Sequence, residues 1–159
     1  MNLKTIAAVS ALFSLAIAAP AFASPDLYLV NFRHADDAKS QRLAGQLPDV
    51  VRMAEVRAEE VVIDTTTAAK WEKAAHDAFN KDIVPVFNKW VGLPGFVAVV
   101  DADSKNVIGC LSPAADATVM ARELRKMASM ASGRAFKTTA STGSVSTQCP
   151  DTFNIPPTR

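Results

Sequence analysis

Hydrophobic and polar positions fall into three different patterns along this chain. The first is a nearly unbroken apolar stretch from Ile6 to Ala19, interrupted only by Ser10 and Ser14. The second is a set of short apolar runs bounded by turn formers: Leu27–Phe32, Phe96–Val100 and Val107–Leu111. Such runs predict strands buried on both faces. The third is helical spacing. Ala38, Leu43, Ala44 and Leu47 predict a helix over 36–47 that Pro48 ends.

Thr65-Thr66-Thr67 offers hydroxyls to cap a longer helix over about 68–90. Its apolar stripe is Trp71, Ala75, Phe79, Ile83, Phe87 and Trp90, and it reads as core packing rather than a ligand-stacking surface. Pro85 should kink this helix or split it in two. Asp101–Asn106 has the composition of a hairpin loop. The last helix is expected to open at Ser112-Pro113, with the serine as N-cap, the proline at the first helical position and Asp116 in the first turn. Met120, Leu124, Met127 and Ala131 form its apolar face, and Gly133 ends it. Residues 50–63 mix signals. Val50-Val51 and Val61–Ile63 look like strand while Met53–Glu60 suits a helix, and the favoured reading is a strand ending at Ile63. The resulting order is β-α-β-α-β-β-α. It predicts an α/β fold with one mixed sheet flanked by helices.

The first apolar stretch has a separate meaning. Lys4 precedes it, and Pro20 and the small-residue pattern Ala21-Phe22-Ala23 follow it. A charged start, an apolar centre and an A-x-A site are what an export signal needs. The stretch is shorter than the roughly 20 residues that span a bilayer. Residues 1–23 are therefore expected to be a signal peptide, 24–133 the folded domain and 134–159 a Ser/Thr-rich, poorly ordered tail. The mature protein is expected to be periplasmic or secreted, without stable membrane insertion. Lys4 is the only charged residue removed, which takes the formal net charge from +1 to zero. Nucleic-acid binding normally shows a basic footprint, so it is not expected.

Export also changes how Cys110 and Cys149 read. An even cysteine count in an oxidising compartment favours a disulfide. Closing a loop of about 40 residues contributes roughly 4 kcal/mol in the chain-entropy picture. Two free thiols, or pairing with another chain, are the alternatives.

Few chemistries fit the remaining residues. His34, Asp36 and Asp37 cluster after the first strand, but with His76 as the only other histidine they have no diagnostic ligand spacing. No metal or other cofactor is expected. There is no G-x-S-x-G elbow and no Walker or dinucleotide glycine pattern.

The element order is that of the thioredoxin-like fold, and local segments resemble that family. Leu29-Val30-Asn31-Phe32-Arg33-His34-Ala35-Asp36-Asp37-Ala38-Lys39-Ser40 resembles the stretch in which "VDFWA" leads into the Cys-x-x-Cys site. Leu93-Pro94-Gly95-Phe96-Val97 resembles the proline turn entering the third strand, and Val107–Ser112 resembles the last strand with its glycine. The resemblance spans about residues 27–131. It implies a cis bond at Leu93–Pro94 and a groove formed by Leu93, Pro94, Gly95, Asp37 and Ser40 where a partner chain adds. The chain departs from the family at its chemistry, because Asp37 and Ser40 stand where the two redox cysteines would be. A thiolate nucleophile and its resolving partner are therefore missing there. The resemblance implies a protein-binding accessory or assembly factor of the bacterial envelope, acting on another envelope protein, rather than a redox enzyme. The alternative is a thiol–disulfide protein using Cys110, with Cys149 as resolver.

Overall fold

The computed structural model describes residues 24–133 and 148–151. The chain builds β1 (Leu27–Arg33), α1 (Ala38–Ala54), β2 (Ala58–Asp64), α2 (Ala68–Asn80), α3 (Val84–Trp90), β3 (Phe96–Asp101), β4 (Val107–Leu111) and α4 (Ala117–Ala131). The strands form one sheet in the order β2-β1-β3-β4. β1 runs parallel to β2, whereas β1–β3 and β3–β4 are antiparallel. This is the mixed, thioredoxin-like α/β arrangement expected from the element order.

Alternation along β1 divides the core. Tyr28, Val30 and Phe32 face α2 and α3, while Leu27 and Leu29 face α1 and α4. Both faces are covered, which is why β1 and β3 read as continuous apolar runs. On the α3 face, Phe32 stacks on Phe96 at 4.9 Å between ring centroids, and Trp90 meets both rings edge-on. The open edge of β2 carries charged side chains: Lys81 pairs with Glu59, and Lys70 with Asp64 at 2.9 Å. Charges on an edge strand discourage pairing with another chain.

Four local expectations are corrected. Pro48 lies inside α1 instead of ending it. Val50 and Ala54 continue the buried face of Leu43 and Leu47, so packing carries the helix past the proline. Pro48 is itself exposed, and water can reach the carbonyl whose helical donor it lacks. Val50-Val51 is accordingly helix, and β2 begins only at Ala58. The split at Pro85 does occur, between α2 and α3, but the predicted aromatic stripe is not all core. Ala74 and Ala78 face inward on α2, leaving Trp71 47% and Phe79 74% exposed. Finally, the N-cap of α4 is Asp116, whose carboxylate accepts the Val119 N–H. Ser112–Ala115 forms a turn before it.

The predicted signal peptide, 1–23, and most of the predicted tail, including Phe153, lie outside the described residues. Among the described residues no helix is long and apolar enough to cross a membrane. Residues 148–151 are held in place. Cys149 is disulfide-bonded to Cys110, and the Pro150 carbonyl accepts a 3.1 Å hydrogen bond from the Trp90 indole.

Candidate functional site

The site builds outward from the end of β1. After Arg33 the chain turns through His34–Asp36 and enters α1 at Asp37, an extended residue (φ −93°, ψ 116°) suited to an N-cap. Asp37 Oδ2 accepts from the Ser40 N–H at 2.7 Å and from Ser40 Oγ at 2.8 Å. Ser40 Oγ in turn accepts from the His34 N–H at 3.2 Å. Ser40 is only 2% exposed, so this short network closes the first turn of the helix from below. His34 Nδ1 accepts from the Asp36 N–H at 3.3 Å, which folds the histidine back on its own turn.

The Leu93-Pro94-Gly95 turn approaches from α3. Gly92 and Gly95 have φ of +90° and +93°, a region where a side chain is strained. The Leu93 N–H donates to the Trp90 carbonyl at 2.9 Å, and the Gly95 N–H donates to the Phe32 carbonyl at 2.8 Å. Pro94 has no N–H. The backbone donors of the turn are thus committed within the chain, so a partner strand finds no free N–H there. The Leu93–Pro94 bond is trans, which corrects the cis geometry implied by the resemblance.

Of the five residues expected in a groove, Gly95, Asp37 and Ser40 come together. Gly95 packs against Asp37 and Lys39 so closely that a Cβ would lie 2.8 Å from Asp37 Oδ2 and from Lys39 Cβ. The space between the α1 start and the proline turn is therefore filled. The open space lies on either side. A cleft of about 330 Å³ is lined by Ala38, Lys39, Arg42, Ser112, Pro113 and Ala114. A smaller pocket of about 100 Å³, lined by residues including Arg33, His34, Ser40, Asp64 and Lys70, lies at the carboxyl ends of the parallel pair β1–β2. Ligands of open α/β sheets commonly sit at such ends.

The electrostatics of the smaller pocket are fixed by Asp64. Partial burial pushes its carboxyl up, but hydrogen bonds from Thr66 Oγ1 and N–H, together with Lys70, outweigh this and hold its pKa at about 2. Arg33 and Lys70 make the rest of the rim basic. Among the described residues no group of three His, Cys, Asp or Glu side chains is placed to hold a metal ion. His76 is exposed on α2.

The cysteine candidates lie elsewhere. Cys110, 4% exposed, faces the α2–α3 core from β4, and its sulfur is bonded to Cys149. Asn31 was not among the residues expected at a site. It sits fully buried in the middle of β1 and donates from Nδ2 to Glu60 Oε1 at 2.8 Å, while its Oδ1 has no partner among the described residues. A lone amide inside an otherwise apolar run was the available signal.

Compared with protein-family models, characterised proteins and solved structures, this chain has no match.

Proposed function

We propose that the chain is an exported, divergent member of the thioredoxin-like family that works by protein binding, as an accessory or assembly factor of the bacterial envelope. One observation carries this reading. At the helix start where the family holds its redox cysteines, Asp37 occupies the N-cap and bonds Ser40, so no thiolate is available there. The cleft between α1 and the β4–α4 connection remains open beside it, with Lys39 and Arg42 on its rim. Those cations suit a partner segment carrying carboxylates. The Cys110–Cys149 bridge and the A-x-A pattern after the apolar N-terminus support an oxidising compartment.

A photo-crosslinker placed at Lys39 in living cells tests the proposal, with Lys126 on the exposed side of α4 as the control position. A discrete adduct to an envelope protein from Lys39 alone is the expected result. Equal labelling from both positions argues against the cleft.

The second reading makes the Cys110–Cys149 pair itself reactive. The partial exposure of Cys149 favours it, because an attacking thiolate can approach from that side. Turnover in an insulin-reduction assay that is lost in Cys110→Ser would establish it and overturn the binding reading.

A further inference from the structure

Arg33 ends β1 as a cation without a counter-charge. It is half-buried, and it lies directly across the parallel register from Asp64 on β2. Opposite charges this close attract, yet the two form no ion pair, because Asp64 is taken up elsewhere. Its Oδ1 accepts from the Thr66 N–H and hydroxyl, and its Oδ2 accepts from Lys70 Nζ at 2.9 Å. Among the described residues the Arg33 guanidinium has no hydrogen bond or ion pair. A cation drawn partly out of water without a partner costs free energy that an adjacent anion offsets.

The fold provides room for such an anion. Arg33 lines the pocket of about 100 Å³ at the carboxyl ends of β1 and β2, together with His34, Ser40, Asp64 and Lys70 among others. Sites for drug-sized ligands run to about 300–1,000 Å³, so this pocket admits only a group of a few heavy atoms. Charge narrows the choice further. Two cations in the lining, Arg33 and Lys70, stand against one anion, Asp64, which leaves a single positive charge when the histidine is neutral. One carboxylate balances it. A phosphate group carries about −1.5 to −2 at neutral pH and overshoots it beside Asp64. Asp36 and Asp37 do not line the pocket: the Asp36 side chain is 90% exposed, and Asp37 Oδ2 is bonded to Ser40.

We propose that this pocket binds a carboxylate, with Arg33 as its anchor and Lys70 and His34 in support. A planar guanidinium donates two parallel N–H bonds to a carboxylate. His34 Nδ1 accepts from the Asp36 N–H at 3.3 Å, which leaves the proton of the neutral ring on Nε2 as a further donor. The pocket and the Lys39 cleft flank the α1 start on opposite sides, and carboxylate binding in one is independent of partner binding in the other.

Sodium acetate titrated into the full isotope-labelled chain, with chloride holding the ionic strength constant, tests this by NMR. The Arg33 Nε and Ala35 amide signals should shift and saturate, with a dissociation constant on the order of 1–20 mM for so small a ligand. Arg33→Gln should weaken binding at least about tenfold. Lys70→Gln, at an exposed position, should weaken it about threefold with the fold intact, and Lys126→Gln on α4 should leave it unchanged. N-acetyl-triglycine with a free carboxyl terminus identifies the source of the carboxylate. Binding at least about tenfold tighter than acetate, and lost in the C-terminal amide, points to a peptide terminus. Affinity no better than that of acetate points to a small free carboxylate, and either result supports the proposal. A response that never saturates overturns it. So does a saturating response that survives Arg33→Gln, and so does tighter binding of inorganic phosphate than of acetate.

Discussion

Gly95 lies directly beneath the carboxylate of Asp37, so close that a methyl group on the glycine would come within 2.8 Å of Oδ2. The same methyl would also meet Lys39 Cβ at 2.8 Å, and the backbone there is at φ +93°. Lys39 Cβ is fixed to the helix backbone, and Asp37 Oδ2, though it ends its side chain, is held in place by the Ser40 hydrogen bonds. Gly95→Ala is expected to cost about 2–4 kcal/mol, combining backbone strain with overpacking. Urea unfolding checks it. A loss below half a kcal/mol would show that the α1 start and the proline turn are not in contact.

The disulfide supports both stability and the position of the chain after α4. Cys149→Ser is expected to lower stability by about 2–4 kcal/mol. It should also shift tryptophan emission to the red, as the Pro150 carbonyl leaves the Trp90 indole. Chemical denaturation followed by fluorescence reads both effects. Addition of a reductant to the native protein should reproduce the shift, whereas the Cys149→Ser protein should not respond to it.

Asp64 gives a pH dependence of known sign. Its carboxyl is held at about 2 in the folded protein, below its ordinary value of 3.8. A depressed acid contributes stability that is fully present above the unfolded value and lost as pH falls through the folded one. The window is therefore about pH 4 down to about pH 2; the full shift corresponds to about 2.4 kcal/mol, and solvent screening of this partly exposed group reduces the contribution at neutral pH to about 1–2 kcal/mol. Asp64→Asn should remove that contribution at pH 7 and match the native protein near pH 2, as read by thermal melts across the range.

Helix α1 contains a stabilising opportunity. Gly45 is exposed within it, and a Cβ there would meet nothing within 4 Å. Gly45→Ala should add about 0.5–1 kcal/mol. Pro48→Ala restores a missing helical hydrogen bond and should add about 1–3 kcal/mol. Denaturant midpoints should rise for both, and a fall for Pro48→Ala would mean that the ring makes a contact the helix depends on.

These positions show how much was legible in the sequence. β1, β3 and β4 were readable because covered strands become continuous apolar runs, and one mixed sheet followed from the element order, whereas the placement of β3 beside β1 did not. The split at Pro85 and the Thr67 cap, which accepts from the Lys70 N–H, came from local chemistry. The errors arose where tertiary packing overrode local rules. Pro48 looked like a stop because the pull of Val50 and Ala54 toward the core is not a local signal. The α2 stripe was assigned by spacing alone, and spacing does not separate a helix that approaches closely through alanines from one that buries its aromatics. Ser112-Pro113 was read as the helix start with Asp116 in its first turn, and only the geometry of the turn between them makes the aspartate the cap. At the site, the nearness of Gly95 to Asp37 and Ser40 was anticipated through the resemblance. The filled gap between them, the trans proline bond and the committed N–H groups were not, because they depend on how α3 delivers the turn to β1.

The bond between Cys110 and Cys149 also makes residues 111–148 one covalent loop. A protease cut anywhere in that loop, including the stretch between Gly133 and Gln148, opens a ring instead of releasing a fragment. The nicked protein keeps its full mass under non-reducing conditions and separates into two pieces only when the bridge is reduced. Where a protease acts, the chain between Gly133 and Gln148 can be severed without α4 or the Trp90 contact being lost from the molecule.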